Sequence, residues 1–230
     1  MKLMIRGLII SIAFVVLPGF SWAQSDKDVI LSVIESERDR YSEIALAIWG
    51  YAEVGYQEER SSDLLQSTLM AAGFNVEAGV AGMPTAFVAS YGGDGPVVAI
   101  LAEFDALPGI TQDSVPQRAP LPELGAGHAC GHHLFGTASV AAGIAVKNWL
   151  EQSGTAGQIR VYGTPAEEGG AGKVYMVREG LFDDVDIVLH WHPSDQNDAS
   201  PATSLTNRSA KFRFHGHPTG GGRPWTAWRQ

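Results

Sequence analysis

Val97-Val98-Ala99-Ile100-Leu101-Ala102 runs apolar without a break and ends on Glu103-Phe104-Asp105. A strand with one wet face alternates apolar and polar residues. An unbroken apolar run instead reads as a strand buried on both faces, as in a parallel sheet covered by helices. Gly92-Gly93-Asp94-Gly95-Pro96, just before it, is a turn. Upstream, Phe74–Val76 and Thr85–Tyr91 are short β-type runs, and downstream Gln158–Tyr162 and Val185–Leu189 read the same way. Helical spacing predicts one helix over Asp26–Ala52 and another over Ser61–Ala72, stopped by Gly73. Leu134–Leu150 is apolar almost all round, which predicts a central buried helix. Gly172–Glu179 reads as a short helix, and Thr203–Phe214 as β-like. Strands alternating with helices place the chain in the α/β class, with a mostly parallel sheet flanked by helices.

With 230 residues the chain is one large domain or two small ones, and its 45% apolar and 18% charged content is ordinary for a globular protein. A formal net charge of -9, with no basic patch interleaved with aromatics, excludes nucleic acid as a partner, because phosphates need Lys and Arg. The first 23 residues have the pattern of a secretory leader. Lys2 and Arg6 precede an apolar run, Gly7–Phe20, and Ser21-Trp22-Ala23 offers small residues at the cleavage positions. That run is short for a membrane span, so no stable span is expected after cleavage; an uncleaved anchor is the alternative. Either reading predicts export, with a periplasmic location. Cleavage after Ala23 removes Lys2 and Arg6 and takes the charge from -9 to -11 (-9 - 2). The lone cysteine, Cys130, makes an internal disulfide impossible and leaves it a buried hydrophobe, a reactive thiol or a metal ligand.

Glu103 to Gly127 is Pro- and Gly-rich and irregular, and loops this long in compact domains are usually functional. In open α/β sheets ligands bind beyond the carboxyl ends of strands. Three polar clusters follow three apolar strands: Glu103 and Asp105, Glu167 and Glu168, His190 and His192. A fourth, Gly127-His128-Ala129-Cys130-Gly131-His132-His133, precedes the predicted central helix. Cys130 and His132 pair a thiol with an imidazole in a Gly-flanked loop, both good ligands for a borderline transition metal. On spacing alone, a buried thiol beside a hydrogen-bonded His is the simpler reading. Of two adjacent carboxylates, one can hold a metal while the other serves as general base toward water, although a solvated acidic turn has the same sequence. His192 is a third candidate ligand, with His190 read as a packed or supporting neighbour. Asp105 can orient a ligand His or tune a metal-bound water, or simply form a turn.

Taken together, Leu101–Pro108, Gly127–His132, Pro165–Gly172 and Val185–Pro193 resemble the amidohydrolase branch of the aminoacylase–carboxypeptidase metallopeptidases (metallopeptidase family 20). His133 in place of the Asp common there, together with Leu134–Ser139 and Lys173–Gly180, is similar to the aminobenzoyl-glutamate hydrolase-like subgroup. The resemblance implies the N-terminal part of a zinc-peptidase-like catalytic domain over 24–200 and the start of an inserted dimerisation and lid domain over 201–216. It implies Cys130, His132, Glu168 and His192 as ligands of two divalent ions, Mn or Zn, and Glu167 as general base with Asp105 in support. The substrate implied is a small N-acyl amino acid, and the longer relatives are implied to be homodimers. Residues 217–230 depart from the family and read as a shifted frame. A chain ending before the lid and the family's last ligand His is expected to be inactive or nearly so. A Cys130-dependent hydrolase and a non-catalytic fragment are the competing readings.

Overall fold

The computed structural model describes residues 25–199, 203, 206 and 210–215. The stretches read from the sequence as a leader (1–23) and as an atypical tail (217–230) lie outside the described residues, as does half of 201–216. The chain divides into two compact units, one ending at Pro193 and one beginning at Ser194. Among the described residues every regular element lies in the first.

Among the described residues five strands form the main sheet: β1 (Asn75–Ala78), β2 (Phe87–Gly92), β3 (Val97–Ala102), β6 (Gln158–Gly163) and β7 (Ile187–Leu189). Between β3 and β6 the chain adds a small hairpin of β4 (Leu107–Pro108) and β5 (Ala126–Gly127), which closes the base of the long loop. The order across the main sheet is β1-β2-β6-β3-β7. β3 is parallel to both neighbours, with Ile100 opposite Val161 on one side and Leu189 on the other. β1 and β2 extend the sheet antiparallel beyond β6. The three strands that carry polar clusters are therefore the parallel ones, and their carboxyl ends share one edge.

The apolar run of β3 is buried on two faces. Ile100 and Ala102 join a core with Phe87, Val161 and helices α2 (Arg38–Tyr51), α3 (Glu59–Ala71) and α4 (His132–Ser153). Ala99 and Leu101 face the other way, onto Tyr162 and Met176 of helix α5 (Gly172–Arg178). Among the described residues no helix is long and apolar enough to cross a membrane.

Three expectations need correction. The single helix over Asp26–Ala52 is two, α1 (Asp26–Ser36) and α2, broken at Glu37, where ψ is 12°. The stretch Glu35–Arg40 has no apolar side chain to hold a continuous helix against the core. Thr203–Phe214 holds no strand among its described residues. Helix α4 is not buried all round, since Leu134 is 54% exposed.

Two glycines let α4 lie close to the sheet. A Cβ on Gly136 would sit 2.6 Å from the carbonyl oxygen of Glu103, and one on Gly143 would strike Val161. Gly136→Ala is expected to cost about 1–3 kcal/mol, since backbone has to move to admit the methyl. Urea titration of the two proteins measures it, and an unchanged midpoint would contradict the close approach.

Candidate metal centre

His132 is the first residue of α4 and follows Gly131, whose φ of 82° suits glycine. That turn points the imidazole back over the carboxyl ends of β3 and β6, where it is completely buried. Its Nδ1 lies 2.9 Å from Asp105 Oδ1, placed to donate. Its Nε2 is 3.1 Å from Glu103 Oε2, 3.5 Å from His192 Nε2, 3.8 Å from Glu167 Oε2 and 3.9 Å from Glu168 Oε1. Cys130 Sγ lies 3.5 Å from His192 Nε2. Ligand atoms of Cys130, His132 and His192 lie within 4.8 Å of one another, as do those of Glu103, His132, Glu167 and His192. All six residues singled out from the sequence therefore meet at one place, although Asp105 and Glu168 belong to neither tight set.

Asp105 engages two groups. One oxygen faces His132, and the other accepts the Glu168 N–H at 2.8 Å. The same carboxylate thus aims an imidazole and pins the backbone of the acidic pair. Glu103 is the residue that sequence reasoning left without a role. It is completely buried and takes His190 Nε2 at 3.0 Å and the Lys173 ammonium on Oε1. Its place at the end of a doubly buried strand was the available signal, since a carboxylate there has to find partners. His190 leans on Glu103 and belongs to neither donor set.

The electrostatics are those of a crowded anionic hole. Burial alone would raise the Glu103 carboxyl, but hydrogen bonds from His132, His190 and Lys173 outweigh it and hold the group below the ordinary carboxylate range. Burial raises Glu168. Burial lowers His132, yet Asp105 and Glu103 overcome it and push the imidazole up to about 10. Burial, with Glu168, Glu167 and Glu103 nearby, pushes the Cys130 thiol up to about 12. His133 packs edge-on against Trp49 at 4.7 Å and is pushed down to about 4 by burial and by His128 and His132.

The donor chemistry fits a divalent cation. Glu168 Oε1 is buried without a hydrogen-bond partner, and the buried Glu103 Oε2 faces His132 Nε2 at 3.1 Å. Two imidazole Nε2 atoms and a sulfur face each other at about hydrogen-bond distance, where a shared cation would satisfy all three.

Imidazole, thiol and carboxylate donors gathered past the ends of parallel strands define the class of site as a candidate divalent-metal centre. The chain belongs to peptidase family M20/M25/M40, which it matches over residues 99–226. It is 48% identical over 184 residues to a subunit of the p-aminobenzoyl-glutamate hydrolase of Escherichia coli (strain K12), covering 80% of this chain and 38% of that protein. It is 31% identical to the Xaa-Arg dipeptidase of Mus musculus, over 80% of this chain and 41% of that one. Among solved structures it resembles a dinuclear metal binding peptidase of Bacillus subtilis, with a TM-score of 0.60 and 25% identity over 70% of this chain and 44% of that one. The chain thus spans about two fifths of the length of these relatives.

Proposed function

We propose that this chain contributes the metal centre of an enzyme that hydrolyses the amide bond of small N-acyl amino acids, p-aminobenzoyl-glutamate first among them. One observation carries the reading: Cys130, His132 and His192 bring their donor atoms within 4.8 Å, with Glu167 beside the same imidazole. The named relative at 48% identity supplies the substrate class. Cys130, His132, Glu168 and His192 would hold up to two ions, Zn or Mn, with Glu103 close enough to share the load. Bound metal supplies a polarised carbonyl and a water of lowered pKa. Glu167, the more exposed of the two loop carboxylates, is free to take the proton of that water and pass it to the leaving amine. Asp105 keeps His132 in the tautomer that presents Nε2. The exported, periplasmic location and the dimeric assembly of the longer relatives belong to the same proposal.

A thiol nucleophile at Cys130 is disfavoured. Reactive thiols sit in electropositive surroundings that lower their pKa, whereas this one is pushed up to about 12 among carboxylates. Metal analysis of the purified chain beside Glu168→Ala tests the proposal. Uptake of one to two Zn or Mn per chain, reduced in the variant, is expected. A chain that takes up neither ion, or hydrolysis of p-aminobenzoyl-glutamate that survives chelation and stops on alkylation, overturns it.

A further inference from the structure

Glu58 is completely buried, and none of the chemistry above uses it. It is the N-cap residue of α3, but its side chain makes no capping hydrogen bond to that helix. Its carboxyl turns inward instead. Oε1 accepts the Ala166 N–H at 2.8 Å, and Oε2 lies 3.0 Å from the Thr85 hydroxyl. Among the described residues it has no ion-pair partner, and burial pushes it up to about 7. A carboxyl buried without a cation is costly, so its placement calls for a reason.

The reason lies in the chain it holds. Ala166 immediately precedes Glu167 and Glu168 and has φ 57°, a left-handed conformation costing a non-glycine residue about 1–2 kcal/mol. Such strain persists only where the surroundings enforce it. The surroundings come largely from 55–58. A Cβ on Gly55 would lie 2.8 Å from the Ala166 methyl, so the two segments are in close contact. The Tyr56 hydroxyl donates to the Gly170 carbonyl at 2.5 Å, beyond the acidic pair. Asp105 grips the Glu168 N–H from the other side.

We propose that Glu58 is a positioning residue, whose buried carboxyl holds the Ala166 N–H and thereby the strained turn that aims Glu167 and Glu168 at the metal centre. Its consequence for metal binding rests on the function proposed above, but the grip on the loop does not.

Two variants of the full chain test this. Glu58→Gln keeps an oxygen for the Ala166 N–H and an amide to give to Thr85. Glu58→Met keeps the volume and loses the acceptor. Loss of one such hydrogen bond corresponds to about a tenfold change. Ala166 amide exchange, read by NMR, is expected to quicken about tenfold or more in Glu58→Met and to stay within about threefold of wild type in Glu58→Gln. Zinc Kd is expected to weaken about tenfold in Glu58→Met only. Unchanged Ala166 exchange in a folded Glu58→Met, or Glu58→Gln failing as badly as Glu58→Met, overturns the proposal. Should Glu58→Met not fold, wild type and Glu58→Gln decide: protection of Ala166 in both supports it, and an unprotected Ala166 in wild type overturns it. A wild-type chain that binds no zinc defeats the metal reading, while the exchange measurement still decides the role of Glu58.

Discussion

Replacing His132 by alanine is expected to weaken zinc binding by about a thousandfold or more, because this imidazole belongs to both tight donor sets and faces Asp105, Glu103 and the acidic loop at once. Loss of a group that merely supports a ligand costs about ten- to a hundredfold, so a larger loss marks a ligand. The substitution also strips two buried carboxylates of their shared partner, and breaking a buried pair costs about 3–5 kcal/mol. His132→Gln separates the effects, since its amide can still donate to Asp105. Competition with a chromophoric chelator measures the affinity, with circular dichroism to verify folding. A His132→Ala chain that folds and binds zinc within tenfold of wild type would remove His132 from the metal centre.

The second large effect is on pH. Without metal, His132 holds its proton up to about 10 and Cys130 up to about 12, so both are protonated at neutral pH. An ion that takes Nε2 and Sγ has to displace both protons. Binding therefore releases protons, and affinity rises with pH throughout the range below both pKa values. Two protons per ion correspond to a rise of about a hundredfold per pH unit between about pH 6 and 8. Calorimetric titration in two buffers of different ionisation enthalpy counts the protons. A count near zero, with affinity flat across that range, would mean that neither Cys130 nor His132 is displaced from its proton.

Much of this centre is legible in the order of the amino acids alone. The run Val97–Ala102 matches β3 residue for residue, because burial on both faces leaves a signal no turn or surface strand imitates. Four clusters placed after strands, or before the buried helix, converge because three of those strands are parallel. Other features depend on partners distant in sequence. The antiparallel attachment of β2 to β6 joins residues some seventy positions apart and leaves no local pattern. The break at Glu37 follows from what the core does not hold. Glu103 and Glu58 read as ordinary acidic residues until burial shows how much each engages.

The contacts that build the centre span long stretches of chain: Cys130 to His192 across 62 positions, Asp105 to Glu168 across 63, Glu103 to His190 across 87 and Glu58 to Ala166 across 108. Loops of that size close late, after local structure has formed. The donors are therefore apart during most of the folding reaction and come together in its last steps. A cation held there would act as a clasp fastened on a finished object, expected to slow its unravelling and to leave the pace of its assembly untouched.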